Sequence, residues 1–274
     1  MKVKIIMSFL VFLTLLVIVA TFSSDTKAVN QEISFSNLTL RVKPEKNTYL
    51  LGETINLHVE LANETNVPIS FHQCTINPNL GYLKIFIATS NGLFKEYRSP
   101  VQGAKDKLCG ESSLTPAQII SSQMSILWNS ELPTSHLNAD AAKKVSEGKI
   151  TTDYSIPLAG VYFVKTVLYF PNKPKLEIES QPIQIAVNEP VGDDLEVWNR
   201  IKDNGEFAYF IQQGELLTPK DEERKKLLKE IEQIAEKYPN SFLTGQMKRS
   251  LGKFRINEEK RKEMLEKARV KPKN

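Results

Sequence analysis

The chain has 274 residues, of which 41% are hydrophobic and 25% are charged, with 12 glycines and 14 prolines. This composition excludes a collagen-like or wholly disordered chain and leaves room for one large domain or two ordinary ones. Two cysteines and three histidines exclude a disulfide-dense small scaffold and any four-cysteine metal site. The net charge of +4 is too small to indicate nucleic-acid binding by itself.

The N-terminus has the layout of a secretory signal. Two lysines precede an uncharged run over 5–22, and Thr26 and Ala28 place small residues at positions −3 and −1 of a cleavage site. We therefore expect residues 1–28 to be a signal peptide and the mature chain to begin at Val29. The alternative is an uncleaved anchor, because the uncharged run spans roughly 27 Å as a helix. Either way the remainder is exported, to the periplasm, the cell surface or the medium.

Export changes how the cysteines are interpreted. An oxidising compartment favours a disulfide between Cys74 and Cys109, the two cysteines of the chain. In the chain-entropy account, closing a loop of about 36 residues stabilises a fold by roughly 4 kcal/mol. A metal site at His72 and Cys74 is the alternative, but two ligands are too few and nothing completes the set. We expect neither a metal nor a cofactor.

Residues 29–189 are predicted to form an antiparallel β-sandwich. Polar and apolar residues alternate strictly over 54–61, as in a strand with one buried face. Turn signals separate such runs, and no long helical pattern intervenes. Residues 138–148 are predicted to form a short helix. Pro182 either breaks the last strand-like run, 176–187, or confines it to the edge of a sheet. The predicted strands are 34–42, 54–61, 67–71, 82–88, 119–128, 150–156, 161–170 and 176–187.

Two stretches of this region resemble immunoglobulin-like modules. Residues 47–63 (NTYLLGETINLHVELAN), followed by Val-Pro-Ile, resemble the opening of bacterial modules of this kind, in which a strand ends in Asn before a Pro-containing turn. Gly160-Val-Tyr162 is similar to the Gly-x-Tyr entry to strand F, which implies a structural corner held by the Tyr162 hydroxyl. An ordinary strand tyrosine is the alternative. The usual inter-sheet disulfide is absent, because its second cysteine would fall at Val164. The resemblance implies a fold and no function.

Residues 190–274 change to helical spacing and are predicted to form a helical domain. The predicted helices are 193–202, 206–213, one that starts after Thr218-Pro219, one that restarts after Pro239-Asn240-Ser241, and a last helix over 258–270 capped by Asn257. Residues 234–242 (IAEKYPNSF), with Leu251-Gly252, resemble one turn of a tetratricopeptide-type repeat. Lys248 replaces the expected aromatic residue, so the tail is one degenerate unit or a plain helix pair.

Charge is concentrated in the tail. Residues 220–274 contain 17 lysines and arginines against 10 acidic residues, a net charge of +7, whereas the remainder carries −3. The excess indicates either a basic surface for an anionic membrane, polymer or acidic partner, or a solvated helix face. We expect no nucleic-acid partner for an exported protein.

The sequence contains no motif typical of an enzyme. Gly-x-Ser-x-Gly, His-Glu-x-x-His, P-loop and dinucleotide fingerprints are absent, and the acidic pairs 193–194 and 222–223 fall at predicted helix starts, where they complement the dipole. We therefore expect an exported, non-catalytic interaction protein of the bacterial cell envelope. Its partner would be a protein or an envelope component, and it would meet a membrane only through an uncleaved N-terminus.

A β-sandwich protease inhibitor is the alternative function. The turn between Asn63 and Pro68 and the segment 113–128 resemble, more loosely, a bacterial family of all-β proteinase inhibitors. That resemblance implies an exposed loop that blocks a protease, for which the connection 91–114 is the candidate. Pro116-Ala117 departs from the Pro-Gly turn that is usual in the family.

Overall fold

The computed structural model describes residues 38–72, 76, 82–98, 110–130, 152–170, 173–217 and 221–270, and these belong to one compact unit. The expected signal peptide, both cysteines and the predicted helix over 138–148 lie outside the described residues. The disulfide and the cleavage site therefore stay predictions.

The first part of the described chain is built from strands. These are β1 (Leu38–Pro44), β2 (Thr48–Leu50), β3 (Ile55–Asn63), β4 (Ile69–His72), β5 (Leu83–Thr89), β6 (Lys95–Tyr97), β7 (Glu111–Leu114), β8 (Ile119–Ile126), β9 (Trp128–Ser130), β10 (Thr152–Tyr154), β11 (Gly160–Phe170), β12 (Lys173–Glu179) and β13 (Ile183–Asn188). The second part is built from α1 (Asp193–Ile201), α2 (Gly205–Gln213), α3 (Asp221–Lys237) and α4 (Phe242–Val270). The prediction of a β domain followed by helices is confirmed. Whether the two parts fold as separate domains that divide at 189/190 stays a prediction.

Two sheets enclose the core of the β part. One consists of β1, β3 and β8, and the other has the order β2-β13-β11-β5-β6, with β12 also paired to β11. Contacts of β1 with β11, β12 and β13 join the two sheets. Apolar side chains fill the space between them, because each strand turns every second residue inward. Examples are Leu40, Leu57, Leu61, Ile85, Leu168 and Ile185.

Strand β3 follows its sequence pattern closely. Ile55, Leu57, Val59 and Leu61 are buried, and the polar residues between them are half-buried, as the alternation predicts. Other runs divide in ways that periodicity did not specify. The run 119–128 forms two strands, and the run 176–187 divides around Pro182, which cannot donate a main-chain hydrogen bond to a neighbouring strand.

Three short strands, β2, β6 and β7, were not predicted. Each is three or four residues long, which is too short for alternation to stand out from chance. β2 pairs with β13 in a parallel direction, whereas the other pairings among the described strands are antiparallel. Main-chain hydrogen bonds to neighbouring strands determine where these three strands form, and their own amino-acid composition does not predict them.

The turn at Pro116-Ala117 adopts the conformation that glycine would favour. Ala117 has a φ of 60°, and the turn is closed by a hydrogen bond from the Gln118 amide to the carbonyl of Thr115, at 3.1 Å. The alanine therefore occupies the left-handed region in which the usual Pro-Gly turn has its glycine, at a cost of roughly 1–2 kcal/mol. The Ala117 amide also donates to the carbonyl of Asn63 at 2.9 Å, which holds the turn in place.

We expect Ala117→Gly to raise the free energy of unfolding by about 1 kcal/mol, because glycine removes the left-handed strain at a modest entropic cost. Urea unfolding of the wild-type and variant proteins measures the change. Ala159→Gly is the matched control, because Ala159 lies in another turn without a positive φ and should lose stability. A loss of stability in both variants would show that Ala117 is unstrained.

The prediction of a separate last helix capped by Asn257 is wrong. α4 continues without a break from Phe242 to Val270, and Asn257 lies inside it. Asparagine in a helix interior costs only a fraction of a kcal/mol relative to the best helix formers, and no proline follows within the helix. Ser241 precedes the first residue of α4 and caps it, because its hydroxyl accepts from the Thr244 amide at 3.2 Å. Asp194 of α1 also accepts from the Leu243 amide at 3.0 Å.

The helices pack on the β part through aromatic side chains. The edge of the Tyr154 ring meets Trp198 of α1, with centroids 4.8 Å apart, and Trp128 meets Tyr209 of α2 at 5.3 Å. Trp198 also lies directly on the turn at Gly52, where a Cβ atom would fall 2.8 Å from the ring. Because these rings are buried, the helices complete the hydrophobic core.

A single amide of α2 joins three segments of the β part. The Gln212 Oε1 atom accepts from the Trp128 amide at 2.8 Å, and its Nε2 atom donates to the carbonyl of Ser125 at 2.8 Å. Nε2 also donates to the Tyr97 hydroxyl at 3.1 Å. The side chain thereby satisfies main-chain groups where β8 passes into β9 and fixes β6 against the helical part.

Alkaline pH is expected to destabilise this fold. Burial, with a smaller effect of the Glu215 carboxylate, raises the pKa of Tyr209 to about 12, and burial also raises the pKa of Tyr97 and Tyr154. Between pH 10 and 12 the unfolded tyrosine ionises while the folded tyrosine stays neutral, so stability is present below pH 10 and is lost above it. Urea unfolding at pH 9 and pH 11 measures the loss. Tyr209→Phe should make it about 1.4 kcal/mol smaller, and equal losses would show that Tyr209 titrates normally.

Candidate binding cleft

The β5–β6 hairpin forms one wall of a cleft on the β part. The Gly92 amide donates to the carbonyl of Thr89 at 3.0 Å, which closes the turn between the two strands. Leu93 follows this turn, and its side chain is 88% exposed. A leucine this exposed does not pack in the core of the described chain.

The connection between β10 and β11 forms the opposite wall. Ser155 anchors its start, because the amide and the hydroxyl both donate to the carbonyl of Leu127, at 2.7 and 3.0 Å. Tyr162 of β11 anchors its end by donating its hydroxyl to the carbonyl of Leu158 at 2.7 Å. Between these anchors, Leu158 is 68% exposed. Two leucines from distant segments therefore face solvent at the rim of one cleft.

The cleft has a volume of about 390 Å³. This volume lies within the usual range for ligand sites, roughly 300–1,000 Å³. Tyr97 and Tyr162 contribute buried side chains, and Asn129 lies beside them. Because Gln212 fixes Tyr97 and main-chain pairing fixes β11, the floor is preformed before any partner arrives.

The chemistry of the lining suits binding. Its ionisable groups are Lys95, Glu96 and the two tyrosines, and Glu96 forms an ion pair with Lys84 at 3.0 Å. Burial raises the pKa of Tyr97, which keeps its hydroxyl protonated and unsuited to act as a base. Within the described residues, no group of three His, Cys, Asp or Glu side chains converges as a metal ion would require.

The structure places one predicted site residue, Tyr162, in the lining of this cleft. Gly160 begins β11, and Tyr162 donates to the carbonyl of Leu158, whereas the role of this pair as an immunoglobulin-type corner stays a prediction. The cysteine pair lies outside the described residues. Leu93 and Leu158 were not predicted as functional residues. The sequence signal that could have identified them is a leucine inside a turn-forming segment, Asn-Gly-Leu for Leu93 and Pro-Leu-Ala-Gly for Leu158.

We expect Tyr162→Phe to lower the free energy of unfolding by about 1 kcal/mol, the net contribution of one hydrogen bond. The carbonyl of Leu158 loses its partner, so the rim should also become more mobile. Denaturant unfolding gives the first quantity, and NMR relaxation of the Leu158 methyl groups gives the second. Tyr169→Phe is the matched control on the outer face of the same strand and should change stability by less than about 0.5 kcal/mol. An unchanged midpoint for Tyr162→Phe would remove the structural role of the corner.

No described helix is both long enough and apolar enough to cross a lipid bilayer. No family model matches the chain, and no curated protein matches its sequence.

Several solved structures are similar to part of the chain. The CARDB domain of a Pyrococcus furiosus protein, in complex with di-metal ions, matches with 11% identity and a TM-score of 0.26. The match covers 55% of this chain and 87% of that domain. The sporulation control protein Spo0M from Bacillus subtilis matches with 11% identity over 60% of this chain and 54% of its own, at a TM-score of 0.29.

A β-glucosidase from Erythrobacter marinus also matches, with 11% identity, 55% of this chain and a TM-score of 0.26. This chain spans only 16% of the length of that enzyme. Likenesses this weak assign neither an activity nor a ligand to the chain.

Proposed function

We propose that this chain is an exported, non-catalytic binding protein of the bacterial cell envelope. Its binding surface is the cleft between the β5–β6 hairpin and the β10–β11 connection. The proposal that the chain is exported rests on the basic and then uncharged N-terminal sequence. The proposal of a binding site rests on one observation, the two exposed leucines at the rim of a preformed cleft.

The proposed partner presents an apolar group to this cleft. Leu93, Leu158 and the neighbouring Pro157 would enclose that group, and burial of their surface would supply the affinity at about 25 cal/mol per Å². The side-chain amide of Asn129 offers hydrogen bonds near the floor, and the Ser155 hydroxyl, which already donates to the carbonyl of Leu127, can accept one. Apolar contact with a few polar groups is the usual composition of a site that binds without chemistry.

We also propose that the β part is an immunoglobulin-like module and that the tail is related to tetratricopeptide-type helix pairs. The parallel pairing of β2 with β13 and the hydrogen bond from Tyr162 to Leu158 support the first proposal. The break at Pro239-Asn240 between α3 and α4 supports the second. Both concern architecture, and the binding proposal does not depend on them.

The test compares capture of envelope components by three forms of the chain 29–274. These are the wild type, the double variant Leu93→Asp with Leu158→Asp, and the control Val191→Asp. Val191 is 76% exposed but lies in the connection between β13 and α1, away from the cleft. We expect the wild type and the control to capture the same partner in equal amounts. The double variant should capture at least tenfold less of that partner. Equal capture by all three would show that binding occurs elsewhere.

Protease inhibition is a second candidate, favoured by the exposure of Leu93 within the connection 91–114. An exposed leucine on a hairpin has the shape that fits the specificity pocket of a protease. A panel of proteases titrated with the protein tests this function. Inhibition would be stoichiometric, lost in Leu93→Ala and kept in Leu158→Ala, whereas a cleft ligand would depend on both leucines.

A further inference from the structure

One side of strand β8 has main-chain groups without a partner in the part of the chain that the structure describes. β8 lies at the edge of its sheet, because β3 is the one described strand with which it pairs. The Asn63 amide donates to the Gln118 carbonyl at 3.1 Å, so even-numbered positions face β3. The Ser125 carbonyl accepts from Gln212 of α2 at 2.8 Å, so odd-numbered positions face away from β3. The residues whose amide and carbonyl both face this open side are Ile119, Ser121 and Gln123.

The opposite strand gives the same assignment. Asn56 of β3 is paired with Ser125, and its carbonyl accepts from the Glu45 amide at 3.0 Å, on the side of β3 away from β8. The two residues of this pair therefore direct their main-chain groups away from each other, as every second pair does in an antiparallel ladder. The pairs two and four residues along β8, which contain Gln123 and Ser121, repeat this geometry. The open groups of β8 thus follow from its register with β3.

The open side of β8 lacks the features by which edge strands resist pairing. Edge strands usually carry charged side chains or proline, which discourage another strand from adding to the sheet. β8 has the sequence IISSQMSI, without charge or proline, and Ile119 is 53% exposed. Among the described strands longer than four residues, β1 and β12 also pair on one side only. β1 carries Arg41, Lys43 and Pro44, and β12 has the sequence KPKLEIE, so β8 differs from both.

We propose that β8 pairs with β8 of a second copy of this chain, antiparallel and with Ser121 at the two-fold axis. In this register Ser121 faces Ser121 of the second copy, and Ile119 faces Gln123 of the second copy. Each of these residues presents an amide and a carbonyl to the open side, so facing residues exchange main-chain hydrogen bonds. The pairing ends before Ser125, whose carbonyl already accepts from Gln212.

Charge and symmetry select a second copy as the occupant. Because β8 is uncharged, the two-fold axis brings no like charges of the two strands together. Pairing joins the two sheets into one with the order β1-β3-β8-β8-β3-β1. Both outer strands are then β1, whose Arg41, Lys43 and Pro44 discourage further addition. The assembly therefore closes as a dimer and does not grow into a filament. The cleft lining contains no residue of β8, so the dimer and the proposed binding function can fail independently.

The test measures self-association of the chain 29–274 by analytical ultracentrifugation. Loading concentrations from roughly 1 to 300 μM cover weak association, because one pair of strands forms a small interface. We expect the weight-average mass to rise with concentration from that of one chain toward that of two, and not beyond.

A charge swap at Ser121 locates the axis. Ser121→Lys and Ser121→Glu each place two like charges opposite one another, so either variant alone should have a dissociation constant at least tenfold higher than the wild type. An equimolar mixture of the two variants should recover the dimer, because opposite charges then face each other. Ser113→Lys is the matched control, because Ser113 is an exposed serine of β7, and this variant should associate like the wild type. Circular dichroism verifies that the variants keep the fold.

Hydrogen exchange of the wild type checks the register. The amides of Ser121 and Gln123 should exchange more slowly as the concentration rises, because they become bonded only in the dimer. The Ser122 amide faces β3 and should be protected equally at every concentration.

Four results would overturn the proposal. A single chain at every concentration would exclude the dimer, and equal association of both Ser121 variants and the wild type would place the contact elsewhere. A mixture of the Lys and Glu variants that stays monomeric would exclude Ser121 from the axis. Protection of the Ser121 and Gln123 amides that does not depend on concentration would assign this edge to a segment of the same chain.

Discussion

Trp198→Ala is expected to lower the free energy of unfolding by about 3–5 kcal/mol, the range for removing a buried aromatic side chain. Trp198 is buried, meets the ring of Tyr154 edge-on and covers the turn at Gly52. Its removal would leave a cavity between the β part and α1, and neither side can close it. Gly52, with a φ of 81°, cannot shift easily, because it occupies a backbone conformation that other residues avoid.

Chemical denaturation followed by circular dichroism measures this loss. Leu195→Ala is the matched control, because it removes an exposed leucine from the same helix and should cost less than about 1 kcal/mol. Trp198→Phe should fall between the two, since it retains part of the buried volume. A cost below about 1 kcal/mol for Trp198→Ala would show that this contact contributes little.

The same experiment tests the predicted domain boundary at 189/190. If the helices depend on the β part for their core, tryptophan fluorescence and helical circular dichroism should report one coincident transition. Two separated transitions would support an autonomous helical domain. Cleavage near the exposed Val191 gives a second measurement, because the released fragment 190–274 should then lose its helices.

Asn63→Ala is expected to cost about 2–4 kcal/mol, because one fully buried amide bonds both the turn over 65–67 and the end of β7. Its Nδ2 atom donates to the carbonyls of Val67 and Leu114, at 2.9 and 2.8 Å. Its Oδ1 atom accepts from the amide and the hydroxyl of Thr65, at 3.0 and 2.6 Å. Alanine would remove the side-chain donor to the buried Leu114 carbonyl and the acceptor for the Thr65 amide, whereas the Val67 carbonyl keeps the Thr65 hydroxyl at 2.7 Å. Each group left without a partner costs about 1–3 kcal/mol.

Thermal or urea unfolding of Asn63→Ala measures this effect. Asn188→Ala is the matched control, because Asn188 also lies at the end of a strand but is exposed, so its loss should stay within about 0.5 kcal/mol. Asn63→Asp should be as damaging as Asn63→Ala, since a carboxylate keeps the acceptor but cannot donate to either carbonyl. Equal stability of all three variants would mean that water replaces the amide at no cost.

The strand-to-helix order was predictable because it depends on short windows of sequence. The alternation of polar and apolar residues over 54–61 indicates a strand with one buried face. After Pro190 the apolar residues recur at helical spacing, which indicates helices. The break at Pro239-Asn240 was predictable for the same local reason. Where local signals were weak, prediction failed, as at Asn257, which is a good cap in isolation and yet lies inside α4.

The candidate cleft could not be predicted, because its walls come from parts of the chain that no local window contains. Leu93 and Leu158 line one cleft only once β5 and β11 are paired, and Tyr162 and Gln212 then form hydrogen bonds at its rim and floor. The sequence by itself determined the inward-facing residues of β3 and the order of strands followed by helices, because these depend on neighbours a few positions apart. Only the tertiary structure decided which strands pair, where α1 and α2 pack, and which leucines remain exposed to water. These features depend on contacts between residues far apart in the chain, and the entropy lost when such contacts form is offset only when the complete core is assembled.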